Sequence, residues 1–287
     1  MSNKYQVKCE VDSNVGDFLK GSELRLSKGS VLKYQSNKWE VSNEITAEST
    51  EEAKNKGIES INDELVLASL FLPIGTSDTV LFRIKADTCT VTALGTEKTT
   101  IFSNTAPVVV YERLEASTSV KAWSPEVIQD FVNRSADMLP IPEESNVRVP
   151  FHYYLRALTE VERVYRFLNF MICLDAVVGY NRASTRLKLL RTAIILGHDF
   201  PDKQNTYDSL DYIYKVRNKI VHGSKVPDLK DSTINQLAGY VRPLLRNYLI
   251  LMEKYADKGR VFDLVDKISN RANEDEIYTT VKTFLGV

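Results

Sequence analysis

Hydrophobic and polar positions follow two different rhythms along the chain, and the change comes near residue 150. Residues 5–11, 23–26, 31–34 and 38–41 are short apolar or alternating runs separated by Gly, Ser and Asn, as antiparallel strands and turns require. A helix is then predicted. Ser49 or Thr50 can cap it, Glu51 and Glu52 suit its positive end, and Ile58, Ile61, Leu65, Ala68 and Leu72 make one stripe. Gly57 weakens that stretch, and Pro73 with Gly75 ends it. Strands are expected again over 79–86, 89–94 and 107–114, where β-branched and aromatic residues dominate. Ser124-Pro125-Glu126 is a helix start, a cap followed by a proline at the first helical position. Val127, Ile128, Phe131, Val132 and Leu139 give that helix one face.

Pro140-Ile141-Pro142 and the polar residues through Asn146 break the pattern, and the domain boundary is placed there. Beyond it every segment carries three- and four-residue spacing. Helices are predicted over 151–178, 184–196, 207–222 and 232–255, with shorter ones over 260–269 and 275–285. In the first, Val164, Phe167, Leu168, Met171, Ile172 and Val178 form a broad stripe. In the fourth, Ile234, Leu237, Val241, Leu244, Leu245, Tyr248 and Met252 do the same, and Pro243 predicts a kink. The fold class is therefore α+β: a small N-terminal α+β domain over 1–145, then an all-α bundle over 146–287.

Composition narrows the chemistry. A hydrophobic content of 43% with 26% charged residues is that of a globular chain with a core in each part. Residues 1–149 hold 16 Lys and Arg against 22 Asp and Glu, and residues 150–287 hold 21 against 16. An anionic ligand thus suits the second half better than the first. Cys9, Cys89 and Cys173 lie far apart, without the paired spacing of a zinc or redox motif, and read as buried thiols in a reducing cytoplasm. Three histidines, ungrouped with cysteine, give no ligand set, so neither metal nor cofactor is expected. The N-terminus lacks the apolar run of a secretory signal. The most apolar stretch, 167–178, is broken by Asn169 and Asp175 and is too short to span a bilayer, so no membrane partner is expected.

Candidate chemistry gathers at the end of the third predicted helix, in Lys215-Val216-Arg217-Asn218-Lys219-Ile220-Val221-His222-Gly223. Leu210, Ile213, Tyr214, Ile220 and Val221 are expected on its buried stripe, and Gly223 stops it. Histidine takes and returns a proton near neutrality. Arginine offers a fork of donors that matches a phosphate and stabilises charge gathering on it. Asparagine can orient the imidazole or bond a phosphate oxygen. Lys215, Lys219 and Lys225 would favour a polyanion. Such a set suits metal-free cleavage of RNA, in which the 2′-OH attacks the neighbouring phosphorus. Arg and His at a helix end can equally serve only to complement the helix dipole. Arg217 and His222 are five positions apart, about 140° in azimuth on a regular helix, so one helix does not aim both at one point. Two copies about a two-fold axis would.

The same residues carry a resemblance. Arg217-Asn218-Lys219-Ile220-Val221-His222 is similar to the R-x4–6-H motif of the HEPN superfamily of helical domains. Gly223, Tyr214-Lys215-Val216 and the segment 165–179 resemble its Apea-like branch. There Asp175 stands where the family often has glutamate. The resemblance covers roughly residues 150–255. It implies a metal-independent endoribonuclease of a defence or toxin–antitoxin type, acting on RNA as a cytoplasmic homodimer with the motif at the interface, with an antitoxin or regulatory protein as a further partner. By that resemblance Arg217 would stabilise the phosphorane and help place the scissile phosphate, His222 would act as base or acid, and Asn218 would orient His222 or the phosphate. Asp175 falls on the buried stripe, four after Met171 and seven after Leu168, where an isolated carboxylate is costly, so it reads as a paired structural acid, with a contact to Arg217 across the bundle as a further hypothesis. Other members of the superfamily have lost activity and serve as dimerisation, nucleotide-binding or partner-binding modules.

Lesser candidates have plainer readings. His152 and His198 read as packing, surface or helix-end residues, and Trp39 and Trp123 as core or interface anchors. Arg186, Lys188 and Arg191 read as a solvated helix face that could touch RNA.

Overall fold

In the computed structural model, residues 2–13, 23–26, 29–36, 38–71, 82–85, 88–96, 98–102, 130, 147–197, 202–223, 229–267 and 271–285 are described. The chain divides into two compact units, Met1–Pro140 and Ile141–Val287. The first is mixed α/β and the second, among the described residues, is helical.

Strict alternation builds the first unit. In β1 (Asn3–Ser13), Tyr5, Val7, Cys9 and Val11 are buried while the residues between them stay accessible. β1 pairs antiparallel with β4 (Lys38–Ala47) over nine residue pairs, from Asn3 opposite Ala47 to Val11 opposite Trp39. β3 (Val31–Gln35) lies beyond β4, and β2 (Glu23–Arg25) forms that edge. On its other side β1 pairs first with β6 (Cys89–Ala93) and then, further along, with β5 (Phe82–Ile84). β7 (Thr99–Phe102), a strand the sequence reading did not include, pairs with β6. The order is β2-β3-β4-β1-β6-β7, with β5 also on β1. The expected strand over 107–114 and helix from Ser124 to Leu139 lie outside the described residues.

Helix α1 (Thr50–Phe71) begins at Ser49, whose hydroxyl accepts from the Glu52 N–H (3.2 Å). It lays Ala53, Ile61, Leu65 and Ala68 into the core formed by Val7, Cys9, Leu32, Val41 and Val91. A polar tie crosses that contact: the Glu64 carboxylate, only 1% exposed, accepts from the Ser30 hydroxyl (2.5 Å), the Ser30 N–H (3.3 Å) and the Asn43 amide (3.4 Å). Gly57, a weakness by propensity, has a packing reason. A Cβ there would stand 2.6 Å from the Val7 side chain, so the missing atom lets α1 approach β1.

In the second unit the single helix expected over 151–178 is two: α2 (Arg148–Thr159) and α3 (Arg163–Val178). The break is made by acids. Glu160 and Glu162 are extended (φ −78°, ψ 128° and φ −80°, ψ 122°), and the Glu162 carboxylate accepts from the N–H groups of Val164 and Tyr165, capping α3. Arg166 donates back to the Glu160 carbonyl (2.8 Å), fixing the turn. A 3₁₀ turn (Tyr180–Arg182) leads to α4 (Thr185–Ile195), followed by α5 (Lys203–Val221), α6 (Asp231–Tyr255), α7 (Lys258–Asp266) and α8 (Arg271–Leu285). α6 continues through Pro243 and buries residues on every side between Leu244 and Leu251, which makes it the central helix. α2, α5, α7 and α8 each bury one face and present the other to solvent. Among the described residues, no helix is long and apolar enough to cross a membrane.

The Gly57 contact gives a prediction whose sign is informative. Gly to Ala inside a helix ordinarily gains about 1 kcal/mol. Here Gly57→Ala should instead destabilise the chain by about 1–3 kcal/mol, because the β-branched Val7 cannot swing away. Urea denaturation of the two proteins measures this directly.

Candidate functional site

Helix α5 carries the Arg-Asn-His stretch and is fixed at both ends. Asp202 caps its start by accepting from the Asn205 N–H (3.0 Å). At the other end the His222 N–H still reaches the Asn218 carbonyl (3.0 Å), and Gly223 turns the chain at φ +68°. Thr206, Leu210, Ile213, Tyr214 and Val216 are buried. On a regular helix Leu210, Tyr214, Arg217, Asn218 and Val221 fall on one side. That side is core at Leu210 and Tyr214, half-buried at Arg217, and solvent-exposed at Asn218 and Val221, the last 49% exposed. The last turn of α5 therefore overhangs the bundle. Ile220 and Val221 were expected in the core; Ile220 is only half-buried and Val221 is not buried at all.

On this overhang the Arg217 guanidinium donates to the Asn218 side-chain oxygen (3.1 Å), its one hydrogen bond among the described residues. His222 and Lys219 are exposed, and among the described residues no hydrogen bond or ion pair engages either side chain. Among the described residues, neither the Arg217 nor the His222 side chain donates to a helix carbonyl. Lys215 is exposed and paired one turn back with Asp211 (2.6 Å), which holds its ammonium above the usual lysine range. Lys225 lies outside the described residues.

Asp175 is a paired acid, and its partners are Tyr214 and Lys188. It sits half-buried in the last turn of α3, where one of its oxygens accepts from the Tyr214 hydroxyl (2.6 Å) and the Lys188 ammonium (2.8 Å). No hydrogen bond joins it to Arg217 among the described residues. Burial raises the Tyr214 phenol well above the ordinary tyrosine range; the Asp175 charge and the hydrogen bond to it add to the rise, and the nearby Arg217 charge opposes it. Tyr214 thus stays a neutral donor at any physiological pH. It locks α5 to α3 one turn before Arg217.

Arg191, read from sequence as part of a solvated face, is 2% exposed. Its guanidinium makes a two-pronged bond to Asp266 (2.7 and 2.6 Å) and donates to the carbonyls of Val178 and Tyr180 (2.8 Å each). The Phe262 ring lies 4.4 Å beneath it. Lys258 adds a bond to the Ala176 carbonyl (2.7 Å), its ammonium held below the usual range by burial and by Arg191. Sequence spacing gave no sign of Lys188, Tyr214 or Arg191 as partners, since each contact joins different helices.

Of the lesser candidates, His152 is exposed beside Tyr153, Arg186 is exposed, and Trp39 is in the core of the first unit. His198 and Trp123 lie outside the described residues. Among the described residues no three His, Cys, Asp or Glu side chains converge to hold a metal ion. No family model, no curated protein and no solved structure matches this chain.

The lock between α3 and α5 makes a graded prediction. Tyr214→Phe removes one donor and should cost about 1 kcal/mol. Asp175→Ala strips both Tyr214 and Lys188 of their acceptor and should cost about 2–3 kcal/mol. Equal losses in urea denaturation would mean that the Lys188 contact contributes nothing.

Proposed function

We propose that the helical unit is an Apea-like HEPN domain acting as a metal-independent endoribonuclease, and that it works as a homodimer. The observation that carries this reading is the overhanging end of α5, where Arg217 is half-buried, Asn218 and His222 are exposed, and among the described residues the one side-chain hydrogen bond of the three joins Arg217 to Asn218. Three groups with proton-transfer and phosphate-binding chemistry, held out from the core on a rigid helix, are placed for a ligand rather than for packing.

In this reading His222 takes the proton of the ribose 2′-OH or returns one to the departing 5′-oxygen. Arg217 neutralises charge on the phosphorane oxygens, and Asn218 holds the Arg217 fork in place. Attack by the 2′-OH leaves a 2′,3′-cyclic phosphate on one fragment and a 5′-OH on the other. A single helix separates Arg217 and His222 in azimuth, so a second copy about a two-fold axis supplies the complementary pair. Val221, apolar and exposed between them, is the residue such a copy would cover. Lys219 adds positive charge for a polyanion, and the first unit selects or restrains the RNA.

A second reading is a non-catalytic module that dimerises or binds a nucleotide or partner protein. It is favoured by the apolar face of α3, where Tyr165 and Ile172 are 60% and 40% exposed. One experiment separates the two. Wild type should cleave a mixed RNA pool in the presence of a chelator. His222→Ala and Arg217→Ala, both at exposed or half-exposed positions, should remain folded and lose about 10²–10⁴-fold in rate. Absence of cleavage by folded, dimeric wild type would leave the binding module.

A further inference from the structure

Cys9 and Cys89, remote in sequence, are neighbours across the sheet of the first unit. β1 and β6 pair with Tyr5 opposite Ala93, Val7 opposite Val91 and Lys8 opposite Thr90, and one further step sets Cys9 opposite Cys89. The Leu94 N–H donates to the Lys4 carbonyl (2.9 Å), so Lys4 and Leu94 form a hydrogen-bonded pair. Alternation then makes Cys9 and Cys89 a non-hydrogen-bonded pair, the kind whose α-carbons are about 4.5 Å apart and whose side chains are closest. A disulfide spans α-carbons about 4.4–6.8 Å apart. Both side chains are buried on the face that α1 covers.

The pair also sits at the end of the β1–β6 ladder. Beyond it β1 exchanges β6 for β5. At the junction the Glu10 N–H donates to the Thr88 hydroxyl (3.0 Å) in place of a strand carbonyl, and the Lys85 N–H returns to the Glu10 carbonyl (2.9 Å). Local opening at such a ladder end is less costly than opening within a strand.

We propose that Cys9 and Cys89 form a dithiol site that is reversibly oxidised to a disulfide by a hydroperoxide. The Cys89 thiolate attacks one peroxide oxygen, giving a sulfenic acid and, from the other oxygen, a leaving water or alcohol once protonated. The Cys9 sulfur then attacks the Cys89 sulfur, the S–O bond breaks, and water leaves with the Cys9 proton. The pair loses two protons and two electrons, and the peroxide takes up both. The contact with the Cys9 thiol holds Cys89 below the usual thiol range, and the Lys54 ammonium on α1 lowers it further; the same contact and burial keep Cys9 protonated. Cys173, in the other unit, is buried with its thiol raised by burial alone and serves as an internal control.

The test treats the native full-length chain with hydrogen peroxide, blocks free thiols after unfolding, and maps the cysteines by mass spectrometry. The expected result is an intrachain peptide linking Cys9 to Cys89, absent after dithiothreitol and absent in Cys89→Ala, with Cys173 recovered as a thiol. If Cys9 and Cys89 are both recovered as free thiols, or Cys89 is found as sulfinic acid with Cys9 untouched, or the link joins two chains, the proposal is overturned. The wild-type chain alone decides, so a variant that folds poorly does not blunt the test.

Discussion

A helix that ends inside a bundle must hand its last carbonyls to something, and in the helical unit that something is Arg191. The C-terminal end of α3 gives up the Val178 carbonyl to Arg191 and the Ala176 carbonyl to Lys258, while the following turn gives the Tyr180 carbonyl to Arg191 as well. Two cations suit the negative end of the helix, yet burying them is costly unless a counter-charge is present. Asp266 supplies it, which draws α7 against α4. Phe262, stacked on Tyr180 and lying under Arg191, closes the site with apolar surface. One guanidinium therefore fixes where α3 ends, where α4 begins its return and where α7 packs.

From that fixed end the candidate site follows by short steps. Asp175 lies in the turn whose carbonyls Arg191 and Lys258 hold, and it accepts from Tyr214 and Lys188. Tyr214 anchors α5 one turn before Arg217, and after Val216 no described residue of the helix is fully buried. A rigid base with an overhanging tip is the way a protein presents polar groups in fixed positions without burying them. Arg217, Asn218 and His222 occupy the tip.

Much of the coarse plan was legible in the residues. Alternation in residues 5–11 and 38–41 and helical spacing beyond 150 gave the change from sheet to bundle, and Gly223 marked the end of α5. The failures have physical causes. The break between α2 and α3 is made by Glu160 and Glu162, whose side chains cap and turn the backbone while the apolar rhythm runs on across them without Gly or Pro. Val221 obeys the stripe that buries Leu210 and Tyr214, but periodicity records azimuth and says nothing about where a helix outruns its neighbours. Arg191 looked like surface because its acid partner, Asp266, lies three helices further along the chain. Gly57 is poor by propensity and required by packing against Val7. The Arg-Asn-His stretch itself was visible at once; that, among the described residues, its side chains bond nothing beyond the stretch was not.

The central claim is that the tip of α5 directs the substrate's own 2′-OH onto phosphorus. The most direct measurement is the end chemistry of fragments from a defined RNA cleaved by the wild-type chain in chelator, beside the same sequence with a single 2′-deoxy substitution at the cleaved position. The account predicts 2′,3′-cyclic phosphate and 5′-OH ends, and no cleavage at the deoxy position. Fragments ending in 5′-phosphate, or cleavage that survives the loss of the 2′-OH, would contradict it.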